Sequence, residues 1–274
     1  MSLVRTLRIL ASQRPSLPPH ACAAPERVQR RRHGHVPVTW IDPDLASTAT
    51  IVHLHGGAYV AGESSQTWNF LEEVARRSGA AGAMIHYRLA PRYGFPTALK
   101  DVLHALEDLS VQAMLRPGRW VLSGDEAGAG LALAVAQVLA ESEVGSPAAL
   151  LLSSPWADLT REEHPDELRG TAARLYAGAV PRTDPRLSPL YGQLSDLPPV
   201  HLVTGAKGVL AEDGRRLEAA LTAAGAPHEH LEIRSGGEQV AVDGPGPQSQ
   251  QARRFLIEAA RRAMGMDEVA GAAH

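Results

Sequence analysis

The chain has 274 residues, 44% of them hydrophobic and 21% charged, with a formal net charge of −3. That size supports a real hydrophobic core, burying roughly 70–75% of the unfolded surface, and the composition excludes a disordered chain, a collagen-like repeat or a disulfide scaffold. Cys22 is the only cysteine, which excludes an intrachain disulfide and a cysteine-rich zinc site, and the charge balance gives no overall attraction to nucleic acid or anionic membrane.

Residues 1–35 are locally basic. Arg5, Arg8, Arg14, Arg27, Arg30, Arg31 and Arg32 face one acid, Glu26. Leu3, Leu7 and Leu10 fit a short amphipathic helix, and Pro15 to Pro37 reads as an irregular lead-in. The plain reading of 1–35 is a surface arm or a reduced cap; a tether to nucleic acid or membrane is the alternative. No segment reaches the ~18 apolar residues of a membrane span, and no apolar run follows the first arginines as in a secretory signal. These features predict a cytoplasmic protein.

From residue 36 onward, short apolar β-branched runs alternate with helical periodicity. Val36–Trp40, Ala49–Leu54, Gly82–Tyr87, Arg119–Leu122, Ala148–Ser153, Val200–Thr204 and His230–Ile233 read as strands. Trp68–Ser78, Pro96–Ser110, Ala129–Ser142, Asp213–Ala224 and Gln248–Met264 read as helices. This alternation predicts a mostly parallel sheet with helices on both faces. One domain is expected over 36–265, with a flexible tail at 266–274.

Five segments carry the chemistry. His53-Leu54-His55-Gly56-Gly57-Ala58 follows a strand, and adjacent glycines there let the backbone turn and present N–H groups suited to an oxyanion. His86-Tyr87-Arg88-Leu89-Ala90-Pro91 comes next. Then follow the strand–turn–helix Val121-Leu122-Ser123-Gly124-Asp125-Glu126-Ala127-Gly128, the run Ser154-Pro155-Trp156-Ala157-Asp158, and Asp184-Pro185-Arg186-Leu187-Ser188-Pro189.

In this order and spacing the segments resemble the hormone-sensitive-lipase-like branch of the α/β-hydrolases, the bacterial carboxylesterases with a His-Gly-Gly-Gly motif. The resemblance implies a three-layer α/β-hydrolase fold, with a mostly parallel sheet of eight strands and the site at the strands' C-terminal ends. Few residues precede the glycine motif, and Asp158–Asp184 is short, so the implied cap is reduced. The family turn reads Gly-Asp-Ser-Ala-Gly, with serine as nucleophile. Here Gly124, Asp125 and Gly128 keep the elbow, but Glu126 takes the serine position. The family's acid position falls on Gly208, and its histidine position on Gln239. The implied oxyanion donors are the N–H groups of Gly57, Ala58 and Ala127.

Acyl-serine chemistry needs a hydroxyl, an imidazole and an orienting carboxylate. Glu126, Gln239 and Gly208 supply none of these in the usual way. The expectation is therefore an esterase- or lipase-like homologue without serine-hydrolase activity, binding a small apolar or acyl ligand. A further expectation is self-pairing, or pairing with an active relative, through an edge strand. Glu126 at a helix N-terminus would fill the oxyanion hole with the protein's own charge. The alternative is altered chemistry with Glu126 as base or nucleophile, which would still need an imidazole to activate water.

The other candidates have plainer readings. His53 and His55, two apart near the end of a strand, are not read as a chelating pair. His86 reads as packing, His228 and His230 as solvated, and Ser123 and Ser154 as lacking a base. Asp125 and Asp158 read as structural, and Tyr59, Trp68, Phe95 and Trp156 as core. No cofactor, metal or nucleic-acid motif stands out.

Overall fold

Eight strands form one sheet in the order β1-β2-β4-β3-β5-β6-β7-β8. The computed structural model describes residues 13–140, 142, 144–161 and 167–266; Leu3, Leu7 and Leu10, and all of the 266–274 tail except Met266, lie outside it. The strands are β1 (Val28–His33), β2 (Val36–Ile41), β3 (Thr50–Leu54), β4 (Ala81–Ile85), β5 (Trp120–Asp125), β6 (Leu150–Ser153), β7 (Val200–Gly205) and β8 (His228–Ile233). β1 and β2, and β2 and β4, pair antiparallel, while every other neighbour is parallel. The helices are α1 (Ser65–Ser78), α2 (Thr97–Val111), α3 (Ala127–Leu139), α4 (Glu167–Ala177), α5 (Ala211–Ala224) and α6 (Pro247–Ala263).

Side chains alternate across the sheet and feed two cores. On β3, Val52 and Leu54 join α2, α3 and α5 on one face, and Ile51 joins α1 and α6 on the other. Because both faces are covered, β3 to β7 are buried along their whole length, with no alternation of buried and exposed residues. The helix ends carry their own signals. Ser64 accepts the Thr67 N–H and donates its own to Thr67 Oγ1, a capping box, and Gly79 closes α1 in the left-handed region. α3 is apolar nearly all round because it lies inside the molecule.

Two elements differ from expectation. Val28–His33 is a strand, not part of an irregular lead-in, and it pairs with β2 from Val28↔Ile41 to His33↔Val36. Arg30, Arg31 and Arg32 are exposed on this edge strand, where charge is tolerated and protects against edge-to-edge pairing, so no alternating pattern survives in the sequence. The division expected after residue 35 therefore falls within the β1–β2 turn rather than between an arm and a domain. The second element is α4. Its buried positions include Ala172, Ala173 and Ala177, whose small side chains give a weak periodic signal.

The turn after β5 sets the tightest packing. A Cβ on Gly128 would lie 2.0 Å from the Leu54 carbonyl oxygen, and one on Gly124 would lie 2.5 Å from the Gly128 backbone. Helix α3 can start against β3 only because these positions lack side chains. Gly128→Ala should therefore destabilise the protein by about 3 kcal/mol or more, read as a fall in the urea midpoint at unchanged slope.

Candidate active site

β5 delivers Glu126 at its C-terminal end and α3 begins one residue later. Glu126 adopts φ 50°, ψ −114°, an unfavourable conformation for a residue with a Cβ. The surroundings hold it there. Its N–H donates to the Ser153 carbonyl at 3.0 Å, and its own carbonyl accepts the Trp156 N–H at 2.9 Å and the Gly130 N–H at 3.1 Å.

The side chain is buried and both of its oxygens are engaged. Oε2 accepts the Gly57 N–H at 2.8 Å, and the Gln239 amide lies 3.4 Å from the same oxygen. Oε1 accepts from Arg169 Nε at 2.9 Å and faces Arg169 Nη2 at 2.8 Å. Arg169 comes from α4, in the segment between β6 and β7, and is itself buried. Its Nη2 also lies 3.0 Å from Glu238 Oε1, so one guanidinium bridges two carboxylates. Both Arg169 and Glu238 escaped the sequence reading. No motif marks Arg169; Glu238 stands beside Gln239, and adjacency was its only signal.

Gly208 follows β7. A Cβ there would come 2.9 Å from Glu238 Cα and 3.0 Å from Glu238 Oε2, so the Glu238 carboxylate fills the space that a side chain at 208 would occupy. Its Oε2 accepts the Val209 N–H. Burial pushes its carboxyl above the ordinary glutamate range, while Arg169 and the Val209 and Leu210 N–H groups pull the other way. Glu126 and Gln239, far apart in sequence, thus meet, and the Gly208 loop packs against Glu238 beside them. Of the expected oxyanion donors, Gly57 points its N–H at Glu126, and Ala58 and Ala127 are buried beside it in sequence. Asp125 turns away to accept the Gly56 N–H at 2.9 Å.

Ser123 does have a base within reach. His53 Nδ1 lies 3.0 Å from Ser123 Oγ, and His53 Nε2 lies 3.1 Å from Asp125 Oδ1. All three are sealed from solvent, so this serine–histidine–aspartate chain braces β3 to β5 and cannot meet a substrate. His86 belongs to a different cluster, 2.8 Å from Thr39 Oγ1 and 3.4 Å from Glu63. The ring of His230 is buried, not solvated as expected; it bridges Thr204 Oγ1 at 2.7 Å and Glu218 at 2.8 Å. Among the aromatics, Tyr59 stacks on Tyr176 of α4 at 3.8 Å, and Phe95 meets Tyr176 edge-on. α4 is therefore fastened twice, by rings and by Arg169.

Asp158 accepts from Thr160 (2.6 Å), Tyr191 (3.0 Å) and Arg216 (2.6 Å), in keeping with a structural role. Next to it, Asp213 is fully buried; burial, then the nearby Asp158 charge, lifts its carboxyl to about 6. No described helix is long and apolar enough to cross a membrane, and the described residues hold no metal-binding group of three or more histidines, cysteines and carboxylates.

A doubly covered parallel sheet, a strained turn at the end of its fifth strand and a glycine loop facing that turn define an α/β hydrolase. The chain belongs to the alpha/beta hydrolase fold family, which residues 51–237 match. Within it the chain is esterase- and lipase-like. It is 38% identical over 207 residues to an acetyl-hydrolase of Streptomyces hygroscopicus, covering 71% of this chain and 69% of that one. It is similar to a crystal structure of an esterase from the bacterial hormone-sensitive lipase family, with TM-score 0.78 and 29% identity over 88% of this chain and 86% of the other. An esterase/lipase from an uncultured bacterium matches with TM-score 0.83 at 26% identity, covering 97% and 92%.

Two predictions follow from these charges. Arg169→Ala leaves Glu126 buried without its cation and should destabilise the protein by about 3 kcal/mol. In a double-mutant cycle, Glu126→Ala should be far less harmful in that background than alone. For Asp213 the folded-state value exceeds the unfolded one. Its contribution is therefore fully present below about pH 4 and is lost as pH rises through 6. Asp213→Asn should flatten that decline and gain about 2 kcal/mol at pH 8, measured by denaturant titration across pH.

Proposed function

We propose that this chain is a pseudo-esterase, a hydrolase scaffold that binds a small apolar or acyl ligand, or a partner, instead of turning over an ester. In this reading Glu126, Gly208 and Gln239 stand at the nucleophile, acid and histidine positions of the family, and Gly57, Ala58 and Ala127 supply the N–H groups of its oxyanion hole. The observation that carries it is the engagement of both Glu126 oxygens, one by the Gly57 N–H and one by Arg169. A substrate carbonyl would have to displace the protein's own carboxylate from that donor, and the replacement would leave Arg169 and Glu126 separated at a buried site.

The same contacts weigh against Glu126 as nucleophile or base. Its lone pairs are directed at cationic and backbone donors, which lowers their availability for attack. The nearest side chain from the histidine position is the Gln239 amide, which cannot accept and return a proton near neutral pH. A glutamyl ester, if formed, would have no imidazole to activate water against it.

Hydrolysis of p-nitrophenyl acetate and butyrate by the purified protein and by Glu126→Ala should stay at the uncatalysed rate in both. Turnover by the wild type that disappears in Glu126→Ala would make Glu126 a chemical participant and overturn the proposal.

A further inference from the structure

The basic start of the chain has no part in the site around Glu126, yet it is firmly placed. Gln13 donates its amide to the Val60 and Ala90 carbonyls at 2.8 and 2.6 Å. Ser16 donates both its N–H and its hydroxyl to Glu63 Oε1 and accepts from Trp68 Nε1. Arg30 of β1 donates to the Pro15 and Ser16 carbonyls. Arg14 is thus held between two anchored residues, and its backbone is already ordered before any ligand arrives.

Beneath this segment a cavity of about 370 Å³ opens against the loop that follows β4. No residue that contacts the Glu126 carboxylate lines it. Its charged lining is Arg14, Arg88 and Arg92, with His35 and His86, and no carboxylate is among the lining residues. Arg88 is matched by Asp101, to which it donates from Nε and Nη2 at 2.9 and 2.6 Å, and so serves as a rigid wall. His86 is engaged by Thr39 and Glu63. Arg14 and Arg92 remain. Both are exposed, and neither has a carboxylate partner among the described residues; the Arg92 guanidinium lies 5.2 Å from the centre of the Tyr93 ring. Pro37, Leu89 and Tyr87 supply apolar surface in the same cavity.

We propose that this cavity binds a small organic anion, a carboxylate or a phosphate monoester on a compact apolar body. The charged group sits against Arg14 and Arg92, and the body against Pro37 and Leu89. Cavities of this size suit small molecules, and two unmatched guanidiniums above an apolar floor select for negative charge at one end of the ligand. The site is independent of the reading of Glu126 given above.

The test is calorimetric titration of the full chain at low salt with phenyl phosphate, benzoate and, as the uncharged control, benzyl alcohol. At least one anion should bind in the millimolar range or tighter and the alcohol should not. Binding of the anion should fall at least tenfold in Arg14→Glu and in Arg92→Glu, both exposed positions, and weaken as salt is added. Which anion binds tells a carboxylate site from a phosphate site. Glu126→Ala should bind as the wild type does. The proposal fails if neither anion binds to protein that is folded by circular dichroism, if the alcohol binds equally well, or if both arginine variants bind unchanged. It also fails if Glu126→Ala abolishes binding, which would move the ligand to the elbow.

Discussion

Everything at the candidate active site depends on the close approach of α3 to the end of β3. Gly124 and Gly128 allow it, and a Cβ at either position would overlap backbone atoms. That contact forces the intervening turn into a left-handed conformation at Glu126. It also presents the residue's side chain to the Gly57 loop. The turn is therefore a constraint on backbone geometry and says nothing about which side chain it presents. The crowding acts on the backbone alone and delivers to that place whichever side chain the position carries.

Once a carboxylate sits there, the rest of the site becomes an exercise in keeping buried charge compensated. One oxygen takes a backbone N–H and the other takes a guanidinium, the strongest donors the surroundings provide. Glu238 extends the arrangement to a second carboxylate, packed where Gly208 leaves room. Arg169 thereby ties the α4 segment to the sheet, a link supported by the Tyr59–Tyr176 stack on the same helix. Charge placement and the seating of α4 are one structural problem here, because α4 carries the group that neutralises the carboxylate after β5.

How far this was legible in the sequence follows from the kind of signal each residue leaves. The core strands declare themselves as short, mostly apolar β-branched runs and the glycine pairs announce turns, so the scaffold could be read directly, whereas the positions of Glu126, Gln239 and Gly208 came only from the family resemblance. β1 could not, because an edge strand that carries Arg30, Arg31 and Arg32 has no buried face to pattern. α4 was hidden by its alanines. Arg169 was hidden for a deeper reason: an ion pair across 43 residues follows no local rule, and arginine is abundant throughout this chain. His53 and Ser123 mislead in the opposite direction. Strand alternation cannot reveal that the parallel neighbour places Ser123 within hydrogen-bond distance of His53.

The sealed Ser123–His53–Asp125 chain links β5 to β3, and Glu126, buried as well, stands directly after β5. The buried chain has the residue types of a serine hydrolase and suitable spacing, yet its hydroxyl faces the sheet interior. Glu126 has the address that a substrate would approach, at the carboxyl end of the strand and opposite backbone donors, but it lacks the residue type. Alternation along β5 puts Ser123 and Asp125 on the sheet face they share with His53, and the strained residue after the strand meets the glycine loop. Reactivity on this fold therefore resides in a position rather than in an inventory of side chains. The packing of β3, β5 and α3 that places this position rests on Gly124 and Gly128 and not on the side chain at 126.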